Sequence, residues 1–305
     1  MGEGASGPEL LQGESFRKNG GIGVVLATYE QPRYLSLVLE AYACQERRPD
    51  EIIVADDGSG PETARVIEES ASRFGLPLLH LWQPDRGFRK TLILNRAVRA
   101  ASAEYLIFSD GDCLPRRDFV KVHAELARSG RFLAGSAVRL GPEVSRSLGV
   151  DDVRTGRFAS LRWLRGQGER PGRRALRFVP RPMGALLDFL SPTRATWSGG
   201  NASVARQEIV RVNGFDLDLG YGGEDRIFGE RLRNAGVRGV QIRHRALLVH
   251  LDHGRPYRDP EQVRRQKNLR RAIQGGGGIR ASQGLQETTD DELRILRRPH
   301  EGRRG

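Results

Sequence analysis

The stretch that decides the fold is YLIFSDGDC, residues 105–113. An aromatic and aliphatic run ends there in two aspartates, Asp110 and Asp112, with one glycine between them. This pattern is typical of a buried strand that carries two carboxylates to the edge of a sheet. The two like charges repel each other, and a divalent cation such as Mg²⁺ or Mn²⁺, which favours oxygen ligands, offsets that repulsion. The alternative is an ordinary Asp-Gly-Asp surface turn, because turns favour these residues for local reasons.

The chain before this stretch alternates between apolar runs and amphipathic segments. The periodicity predicts strands at residues 22–27, 51–55, 76–82 and 104–108, and helices at 31–44, 62–74 and 91–101. Strands that alternate with helices of this length form right-handed crossovers and a mainly parallel sheet covered on both faces. The predicted fold class is therefore α/β, with a Rossmann-like, mostly parallel sheet and helices on both faces.

Polar clusters follow three of these strands at the point where each strand ends. Thr28-Tyr29-Glu30 follows the first strand, residues 56–59 follow the second, and Asp110-Gly111-Asp112 follows the fourth. Ligands of open α/β sheets bind at the carboxyl ends of the strands. Independent surface turns are not expected to gather on one edge, so the coincidence favours a binding site there.

Composition restricts the class of protein less than the motifs do. The 305 residues suffice for one large or two small domains, and 50 Lys+Arg against 38 Asp+Glu give a net charge of +12. Arginine is concentrated in residues 154–181 and from 255 onward, which indicates anionic partners: nucleic acid, a phosphorylated substrate or an anionic membrane surface. Cys44 and Cys113 belong to no paired motif, so we expect neither a disulfide framework nor a zinc site, as suits a reducing compartment.

The N-terminal residues 1–19 are rich in Gly, Glu and Ser and contain no apolar core. We therefore expect a disordered N-terminus without a signal peptide. No run approaches the length of a spanning helix. The sequence predicts a cytoplasmic protein without a transmembrane segment, and it leaves open a peripheral contact with the inner face of the membrane.

The second half of the chain is less regular. In residues 139–195 the periodicity weakens and Arg, Gly and Pro increase, which indicates a long, partly flexible, Arg-rich insertion. Its arginines either screen phosphates or a polyanionic acceptor, or simply belong to a solvated loop. Order returns at residues 197–204 and in a short helix at 206–212.

A glycine-rich loop at 220–223 then leads to Glu224 and Asp225, at the predicted start of a helix. The helix dipole favours ionised carboxylates there, so these acids are either a catalytic base or ordinary caps. A strand at 246–249 ends at His250, and His253 follows closely. A basic helix is predicted to about residue 273, and residues 274–305 are expected to be a disordered basic tail.

Seven segments together make the chain recognisable. It resembles family 2 glycosyltransferases of the GT-A fold, and its C-terminal half resembles the acceptor regions of β-1,4-galactosyltransferases and polypeptide GalNAc-transferases. The segments span residues 21–257 in the family's order: VVLATYEQPRYL, EIIVADDGSG, DRGFRKTLILNRAV, YLIFSDGDC, WSGGNASV, GFDLDLGYGGEDRIFGERL and VHLDH. The resemblance implies a nucleotide-sugar-binding half at 20–138, the insertion at 139–195, and an acceptor-binding and catalytic half of the same domain at 196–273.

The resemblance also implies a metal site. Mn²⁺ or Mg²⁺ is expected to bridge the diphosphate of a nucleotide sugar to the aspartate motif. The expected nucleotide sugar is a UDP-sugar. Asp112 matches the main metal ligand, and Asp110 the residue that faces the ribose and the metal. His250 matches the histidine that completes the site, with His253 as the alternate.

The remaining positions carried over by the resemblance concern the donor, the acceptor and the proton transfer. Thr28, Glu30 and Asp57 match positions that hold the nucleoside. Phe88, Arg89 and Lys90 match the basic segment near the diphosphate. Gly199, Gly200 and Asn201 match the loop beneath the donor sugar. Glu224 and Asp225 match the acidic pair of the acceptor site, with Asp225 as the general base in an inverting reaction. The resemblance leaves retention open as the alternative, because polypeptide GalNAc-transferases share these motifs and retain the anomeric configuration.

The predicted activity is metal-dependent transfer of a sugar to an acceptor hydroxyl, in glycan or polysaccharide biosynthesis. The acceptor is a glycan, a lipid-linked molecule or a small molecule. One alternative is a sugar-phosphate nucleotidyltransferase, but Thr28-Tyr29-Glu30 stands where that class carries a glycine-rich loop. The other is a basic nucleic-acid-binding protein; aromatics make up only 7% and are not interleaved with the basic residues, so no specific nucleic-acid partner is expected. The sequence does not predict the oligomeric state.

Overall fold

The apolar runs predicted as strands form the middle of a large mixed sheet. In the computed structural model, which describes residues 20–254 and 260–298, this sheet has eight strands in the order β11-β3-β2-β1-β4-β8-β6-β9. The strands of the chain are β1 (Ile22–Thr28), β2 (Glu51–Asp56), β3 (Leu78–Trp82), β4 (Tyr105–Asp110), β5 (Cys113–Pro115), β6 (Arg131–Ala134), β7 (Ser136–Arg139), β8 (Ala202–Ala205), β9 (Arg238–Gln241), β10 (Leu247–His250) and β11 (Arg294–Arg297). The predicted disordered N-terminus, residues 1–19, lies outside the described residues.

Strands β3, β2, β1 and β4 are parallel neighbours, as the alternating pattern predicts. Every residue of β1 is buried, because helices cover both faces of the sheet. The helices are α1 (Pro32–Ala43), α2 (Pro61–Phe74), α3 (Lys90–Ala100), α4 (Phe119–Leu126), α5 (Pro142–Ser147), α6 (Val150–Thr155), α7 (Leu161–Gly166), α8 (Arg181–Leu190), α9 (Arg206–Arg211), α10 (Glu224–Asn234) and α11 (Pro260–Gly276). The α/β architecture and the mainly parallel sheet are thus confirmed.

Two large apolar clusters form most of the core, one on each face of the sheet. Helices α1 and α2 pack in one cluster through side chains such as Leu35, Val38 and Ile67. Helix α3 packs in the other, which continues into the aromatic side chains of Trp197 and Phe228. The sheet is therefore held between N-terminal helices on one face and, on the other, helix α3 together with C-terminal elements.

A smaller three-stranded sheet, in the order β5-β10-β7 within the described chain, joins the two halves of the sequence. Strand β10 pairs antiparallel with β5, so that His250 lies opposite Cys113, and parallel with β7, so that His250 lies opposite Arg139. This pairing carries the residues after β10 to the aspartates that follow β4.

The predicted flexible insertion at 139–195 differs from the structure. Helices α5 to α8 lie within it, and Val144, Leu148, Phe158 and Leu164 are buried in the core. Helices α5, α6 and α7 have six residues each, too few for an apolar repeat to be visible in the sequence.

The prediction of a disordered tail at 274–305 is wrong for its described part. Helix α11 continues to Gly276, and β11 pairs antiparallel with the edge strand β3. The guanidinium group of Arg96 donates hydrogen bonds to the carbonyl oxygens of Thr289, at 2.8 Å, and Asp291, at 2.5 Å. Backbone pairing and buried arginine contacts hold this charged segment, and neither depends on an apolar pattern.

In the part of the chain that the structure describes, none of the helices is both long and apolar enough to cross a bilayer.

Candidate active site

The carboxyl ends of β1, β2 and β4 meet at one edge of the sheet. Thr28 lies opposite Asp56, and Ala27 lies opposite Asp110. A cleft of about 690 Å³ opens at this edge. The predicted site residues that line it are Thr28, Glu30, Asp57, Phe88, Lys90, Asp110, Asp112, Gly200, Glu224, Asp225, His250 and His253.

The two aspartates of the motif have different partners. Asp110 Oδ1 accepts a hydrogen bond from the Nζ atom of Lys90 at 2.7 Å. Asp112 Oδ2 lies 2.7 Å from His253 Nε2 and 3.7 Å from His250 Nε2. The pairing of β10 with β5, together with a 2.9 Å backbone hydrogen bond from Leu251 to Asp112, places both imidazoles here.

The Asp112, His250 and His253 cluster fits a divalent cation. Each residue offers one ligand atom, and these atoms lie within 4.8 Å of one another. Burial raises the pKa of the Asp112 carboxyl, but the hydrogen bond from His253 and the charges of both imidazoles outweigh burial and lower the pKa to about 2. The carboxylate therefore stays ionised at neutral pH, as a metal ligand must be. His253, predicted as an alternate to His250, lies closer to the Asp112 carboxylate than His250 does.

Lys90 is the cation of the predicted basic segment that reaches the cleft. Burial disfavours its charge, but the carboxylates of Asp110, Asp225 and Glu224 hold its pKa above the ordinary value. Lys90 begins helix α3, so the helix N-terminus and the ammonium group both present positive charge to the cleft. An anionic group such as a diphosphate is stabilised at such a position.

Arg89 does not line the cleft. Its guanidinium group contacts the carbonyl of Pro84 and lies 3.9 Å from Glu292 Oε2. Its backbone N–H donates instead to Asp57 Oδ2 at 2.8 Å. Arg89 therefore positions a cleft residue through its main chain, and its side chain belongs to the contact with the C-terminal segment.

Asp57 is held by two donors. Besides the N–H of Arg89, the amide of Gln83 donates to Asp57 Oδ1 at 2.6 Å. Burial raises the pKa of the Asp57 carboxyl to about 6, against the opposing effect of these two hydrogen bonds. Gln83 in turn accepts a hydrogen bond from Arg96 at 2.8 Å, so the orientation of Asp57 depends on a buried polar chain.

The turn after β1 is conformationally unusual. Glu30 (φ 54°) and Gln31 (φ 61°) are consecutive non-glycine residues in the left-handed region. Such residues are uncommon and gather at functional sites. The Glu30 carboxylate accepts a hydrogen bond from the backbone N–H of Gly60 at 3.0 Å, and the backbone N–H of Glu30 donates to Ser59 Oγ at 2.8 Å. These contacts tie the ends of β1 and β2 together beside the cleft.

The glycines at 199 and 200 permit a close approach of acidic side chains. A Cβ atom at Gly200 would lie 2.9 Å from Asp110 Oδ2, and one at Gly199 would lie 2.6 Å from Asp225 Oδ1. Gly199 itself stays outside the cleft lining, but its N–H donates to Asp225 Oδ2 at 2.8 Å. The loop therefore orients Asp225 next to the aspartate motif.

Asn201 does not line the cleft. Its buried side-chain amide donates to the carbonyl oxygens of Ser136 at 3.2 Å and Ala246 at 3.0 Å. It therefore fixes the start of β8 against the smaller sheet.

Glu224 and Asp225 occupy the first turn of helix α10, as predicted. Glu224 Oε2 accepts hydrogen bonds from the backbone N–H groups of Gly222 at 2.9 Å and Gly223 at 2.8 Å, so this residue orders the glycine-rich loop. Burial raises the pKa of Asp225 to about 6; Lys90 opposes the rise, and Glu224 and Asp110 add to it. Among the described residues Asp225 Oδ1 has no hydrogen-bond partner.

Several further residues line the cleft and escaped the sequence analysis, among them Tyr221, Arg139 and Arg243. The ring of Tyr221 packs edge-to-face on Phe88, with centroids 5.5 Å apart. An aromatic residue inside a glycine-rich loop was the available signal for Tyr221. Arg139 reaches the cleft because β7 pairs with β10, and no local sequence pattern predicts this pairing.

Comparison with known proteins identifies the domain. Residues 23–171 match the model of "Glycosyl transferase family 2". The chain is 30% identical over 227 residues to a validoxylamine A glucosyltransferase of Streptomyces hygroscopicus subsp. limoneus, covering 71% of this chain and 48% of the relative. It is 26% identical over 225 residues to a chondroitin synthase of Escherichia coli, covering 71% of this chain and 32% of that protein. The chain thus spans half or less of the length of these relatives.

Solved structures show the same fold. A mannosyltransferase from Pyrobaculum calidifontis in complex with GDP-Man and Mn²⁺ superposes with a TM-score of 0.52 at 19% identity, covering 85% of this chain and 63% of that one. Residues 1–349 of S. aureus TarS in complex with UDP-GlcNAc superpose with a TM-score of 0.56 at 16% identity, covering 83% of this chain and 66% of that one. The resemblance of the C-terminal half to galactosyltransferases and GalNAc-transferases is not shown by these matches and stays a prediction. Residues 23–171 are therefore a glycosyl transferase family 2 domain, and the chain has the GT-A fold of these enzymes.

Proposed function

We propose that the protein transfers a sugar from a nucleotide-sugar donor to an acceptor hydroxyl with the help of a divalent cation. The observation that carries this proposal is the meeting of Asp112, His250 and His253 with Lys90 and Asp225 in one cleft. These groups come from both halves of the chain. Together they supply metal ligands, a cation for a diphosphate and a carboxylate base.

The donor side of the cleft is the edge formed by β1 and β2. Thr28, Glu30 and Asp57 are the proposed nucleoside contacts, because they line the cleft at these strand ends. Asp57, held by Gln83 and Arg89, is a fixed acceptor for an N–H of the base. A uridine nucleotide is the proposed donor carrier, in keeping with TarS, which was solved with UDP-GlcNAc.

Lys90 is the proposed contact to the diphosphate. It now pairs with Asp110 at 2.7 Å, so a bound diphosphate would share this cation with the carboxylate. Asp112, His250 and His253, with Asp110 beside them, would hold Mn²⁺ or Mg²⁺. When bound, such a cation supplies Lewis-acid stabilisation of the leaving diphosphate. Two imidazoles in the donor set favour Mn²⁺ over Mg²⁺, which prefers oxygen ligands and retained water.

Asp225 is the proposed general base. Its pKa of about 6 leaves it ionised at neutral pH but basic enough to accept a proton from an acceptor hydroxyl. Gly199 holds one carboxylate oxygen, and the other is unpaired among the described residues. Attack by the activated hydroxyl from the face opposite the diphosphate inverts the anomeric configuration. Glu224 serves to position this base, because its own carboxylate caps the loop.

The acceptor class follows from the site only in part. A hydroxyl on a glycan, on a lipid-linked molecule or on a small molecule satisfies the chemistry, and the relatives include a chondroitin synthase and a validoxylamine A glucosyltransferase. We place the activity in glycan or polysaccharide biosynthesis at the cytoplasmic side of the cell.

A panel of nucleotide sugars tests the proposal directly. The thermal unfolding midpoint is measured for the full chain with each nucleotide sugar, with and without Mn²⁺, since a ligand that binds the native state raises its stability. We expect stabilisation by a UDP-sugar that requires Mn²⁺, followed by release of free nucleoside diphosphate. Release of pyrophosphate from a nucleoside triphosphate and a sugar phosphate would instead indicate nucleotidyl transfer.

A further inference from the structure

Helix α8 carries its apolar side chains on the outside of the molecule. Met183, Leu186 and Leu190 follow the i, i+3, i+7 spacing of one helix face, and Leu186 is 56% and Leu190 63% exposed. Phe189, beside them, is 85% exposed. A soluble surface seldom leaves such large apolar side chains together in water.

The opposite face of the same helix is polar and fixed to the body of the protein. Gly184 packs so closely that a Cβ atom there would lie 2.5 Å from the carbonyl oxygen of His244. Asp188 is buried and accepts hydrogen bonds from the backbone of His244 at 3.0 Å and from Arg245 at 2.9 Å. These contacts settle which face points outward, so the apolar exposure is built into the docked helix.

Arginines without acidic partners precede helix α8 in the sequence. In the 161–190 segment the exposed charged residues are all arginines: Arg162, Arg165, Arg170, Arg173 and Arg174. None of these five has an ion-pair partner among residues 20–254 and 260–298. The two acids of the segment are engaged elsewhere, Glu169 with the backbone of Gly141 and Asp188 with Arg245. Burial lowers the pKa of Arg177 to about 10, and the nearby positive charges of Arg243 and Arg174 add to this effect.

We propose that helix α8, with the arginines that precede it, is a surface that binds anionic lipid bilayers. The apolar residues 183, 186, 189 and 190 would enter the boundary between headgroups and acyl chains, and the arginines would contact lipid phosphates. Exposed Leu and Phe side chains in one segment with exposed arginines that lack acidic partners are the combination that an anionic bilayer satisfies. A polyanion alone would leave the apolar face in water, and an apolar protein partner would leave the arginines unpaired.

The position of this surface connects it to the cleft. Three residues after helix α8 ends, the chain reaches Thr193 and Arg194, which line the cleft. A bilayer bound at helix α8 therefore lies next to the segment that forms the cleft wall. The proposal does not depend on the reaction proposed above, since lipid binding and sugar transfer are measured separately.

Vesicle flotation with the full chain tests the proposal. Vesicles of phosphatidylcholine alone are compared with vesicles of phosphatidylcholine and phosphatidylglycerol, at low and high salt. We expect the protein to float with the phosphatidylglycerol vesicles at least about tenfold better, and we expect salt to weaken this binding. The double variant Leu186→Ser/Phe189→Ser should reduce binding by at least about tenfold, because each buried CH₂ group contributes about fourfold.

The arginine arm uses Arg173→Gln/Arg174→Gln, which should abolish the preference for phosphatidylglycerol. The matched controls are Val210→Ser, an exposed apolar residue of helix α9, and Arg131→Gln/Arg238→Gln, an exposed pair on strands β6 and β9; both should bind like the wild type. Unchanged thermal unfolding midpoints show that the variants fold. Equal flotation of the wild type and Leu186→Ser/Phe189→Ser would overturn the proposal. So would a concentration-dependent dimer in sedimentation that this variant loses, because a second copy would then cover the face.

Discussion

The Nε2 atom of His253 lies 2.7 Å from the Oδ2 atom of Asp112, although the two residues come from opposite halves of the chain. The pairing of β10 with β5 makes this approach possible, and His250 joins the same carboxylate at 3.7 Å. The proposed metal site would couple the two halves of the chain, because its ligands come from both. Each residue around it therefore has a measurable role.

Both histidines are expected to contribute to metal affinity. His250→Gln and His253→Gln should each raise the Mn²⁺ concentration needed for half-maximal activity by at least about tenfold, because each removes one imidazole donor. The measurement is the Mn²⁺ dependence of nucleoside diphosphate release. The control is Gln207→Ala, which changes a surface residue. His80→Gln is unsuitable as a control, because His80 is buried against Asp56. An unchanged Mn²⁺ dependence of one variant would assign the site to the other histidine.

Asp225→Asn is expected to remove the base while the donor site stays intact. Turnover should fall by about 10²- to 10⁴-fold, the usual contribution of general-base catalysis. Stabilisation by UDP with Mn²⁺ should persist. Asp218→Asn, an exposed aspartate near the same loop, is the control and should leave turnover unchanged. Undiminished transfer by Asp225→Asn excludes this residue as the base.

The pKa of Asp225 also predicts a pH dependence of stability. A carboxyl group whose pKa rises from 3.8 to about 6 on folding holds its proton longer in the native state, so its contribution to stability falls as the pH rises from about 4 to about 6. At pH 7, the free energy of unfolding of Asp225→Asn should therefore exceed that of the wild type by about 1–3 kcal/mol. Denaturant unfolding measures this difference. The gain should vanish near pH 4. A destabilised variant at pH 7 would contradict a net unfavourable burial of the ionised Asp225 carboxylate.

Lys90 is expected to tune the same base. Its charge lowers the pKa of Asp225, so Lys90→Met should shift the acidic limb of the kcat/KM profile to higher pH. It should also weaken donor binding by about tenfold or more, because a charge-assisted contact to the diphosphate is lost. Lys121→Met, a surface lysine paired with Glu46, is the matched control. An acidic limb that stays in place would show that the two groups do not interact during the reaction.

Arg96 connects the C-terminal segment to the proposed nucleoside end of the cleft. Arg96→Met removes hydrogen bonds to Thr289, Asp291 and Gln83, and Gln83 holds Asp57. We expect a loss of about 2–4 kcal/mol in the free energy of unfolding and weaker UDP binding. Arg99→Gln, a neighbouring arginine that contacts the same segment at the surface, should cost less than about 1 kcal/mol. Denaturant unfolding and UDP titration measure both variants.

The parallel half of the fold is predictable because its strands are buried on both faces. The runs that end at Thr28, Asp56 and Asp110 are continuous apolar segments, and their carboxyl ends meet by the rule for such sheets. The aspartates after β4 could be placed at this edge for the same reason, whereas Lys90 and Asp225 were assigned to the site through the resemblance to family 2 glycosyltransferases. The antiparallel additions β8 and β11 carry no comparable pattern, because they have four residues each.

The details of the site depend on contacts that sequence spacing does not encode. The sequence leaves open which of the two cations, Arg89 or Lys90, faces a diphosphate. In the structure Lys90 lines the cleft, whereas Arg89 turns towards Pro84 and Glu292. Glu292 belongs to the segment that was expected to be disordered. Asn201 reads as a donor-sugar residue from its motif, yet its amide joins Ser136 and Ala246 in the interior.

Mn²⁺ binding by Asp112→Asn tests the central claim most directly. Electron paramagnetic resonance measures free Mn²⁺ as it is titrated into the wild type and the variant in the presence of UDP, with Asp151→Asn as the exposed control. We expect one Mn²⁺ per chain for the wild type and Asp151→Asn, and at least about a hundredfold weaker binding for Asp112→Asn at an unchanged thermal unfolding midpoint without ligand. Equal Mn²⁺ affinity of Asp112→Asn and the wild type would contradict a metal site built on this carboxylate.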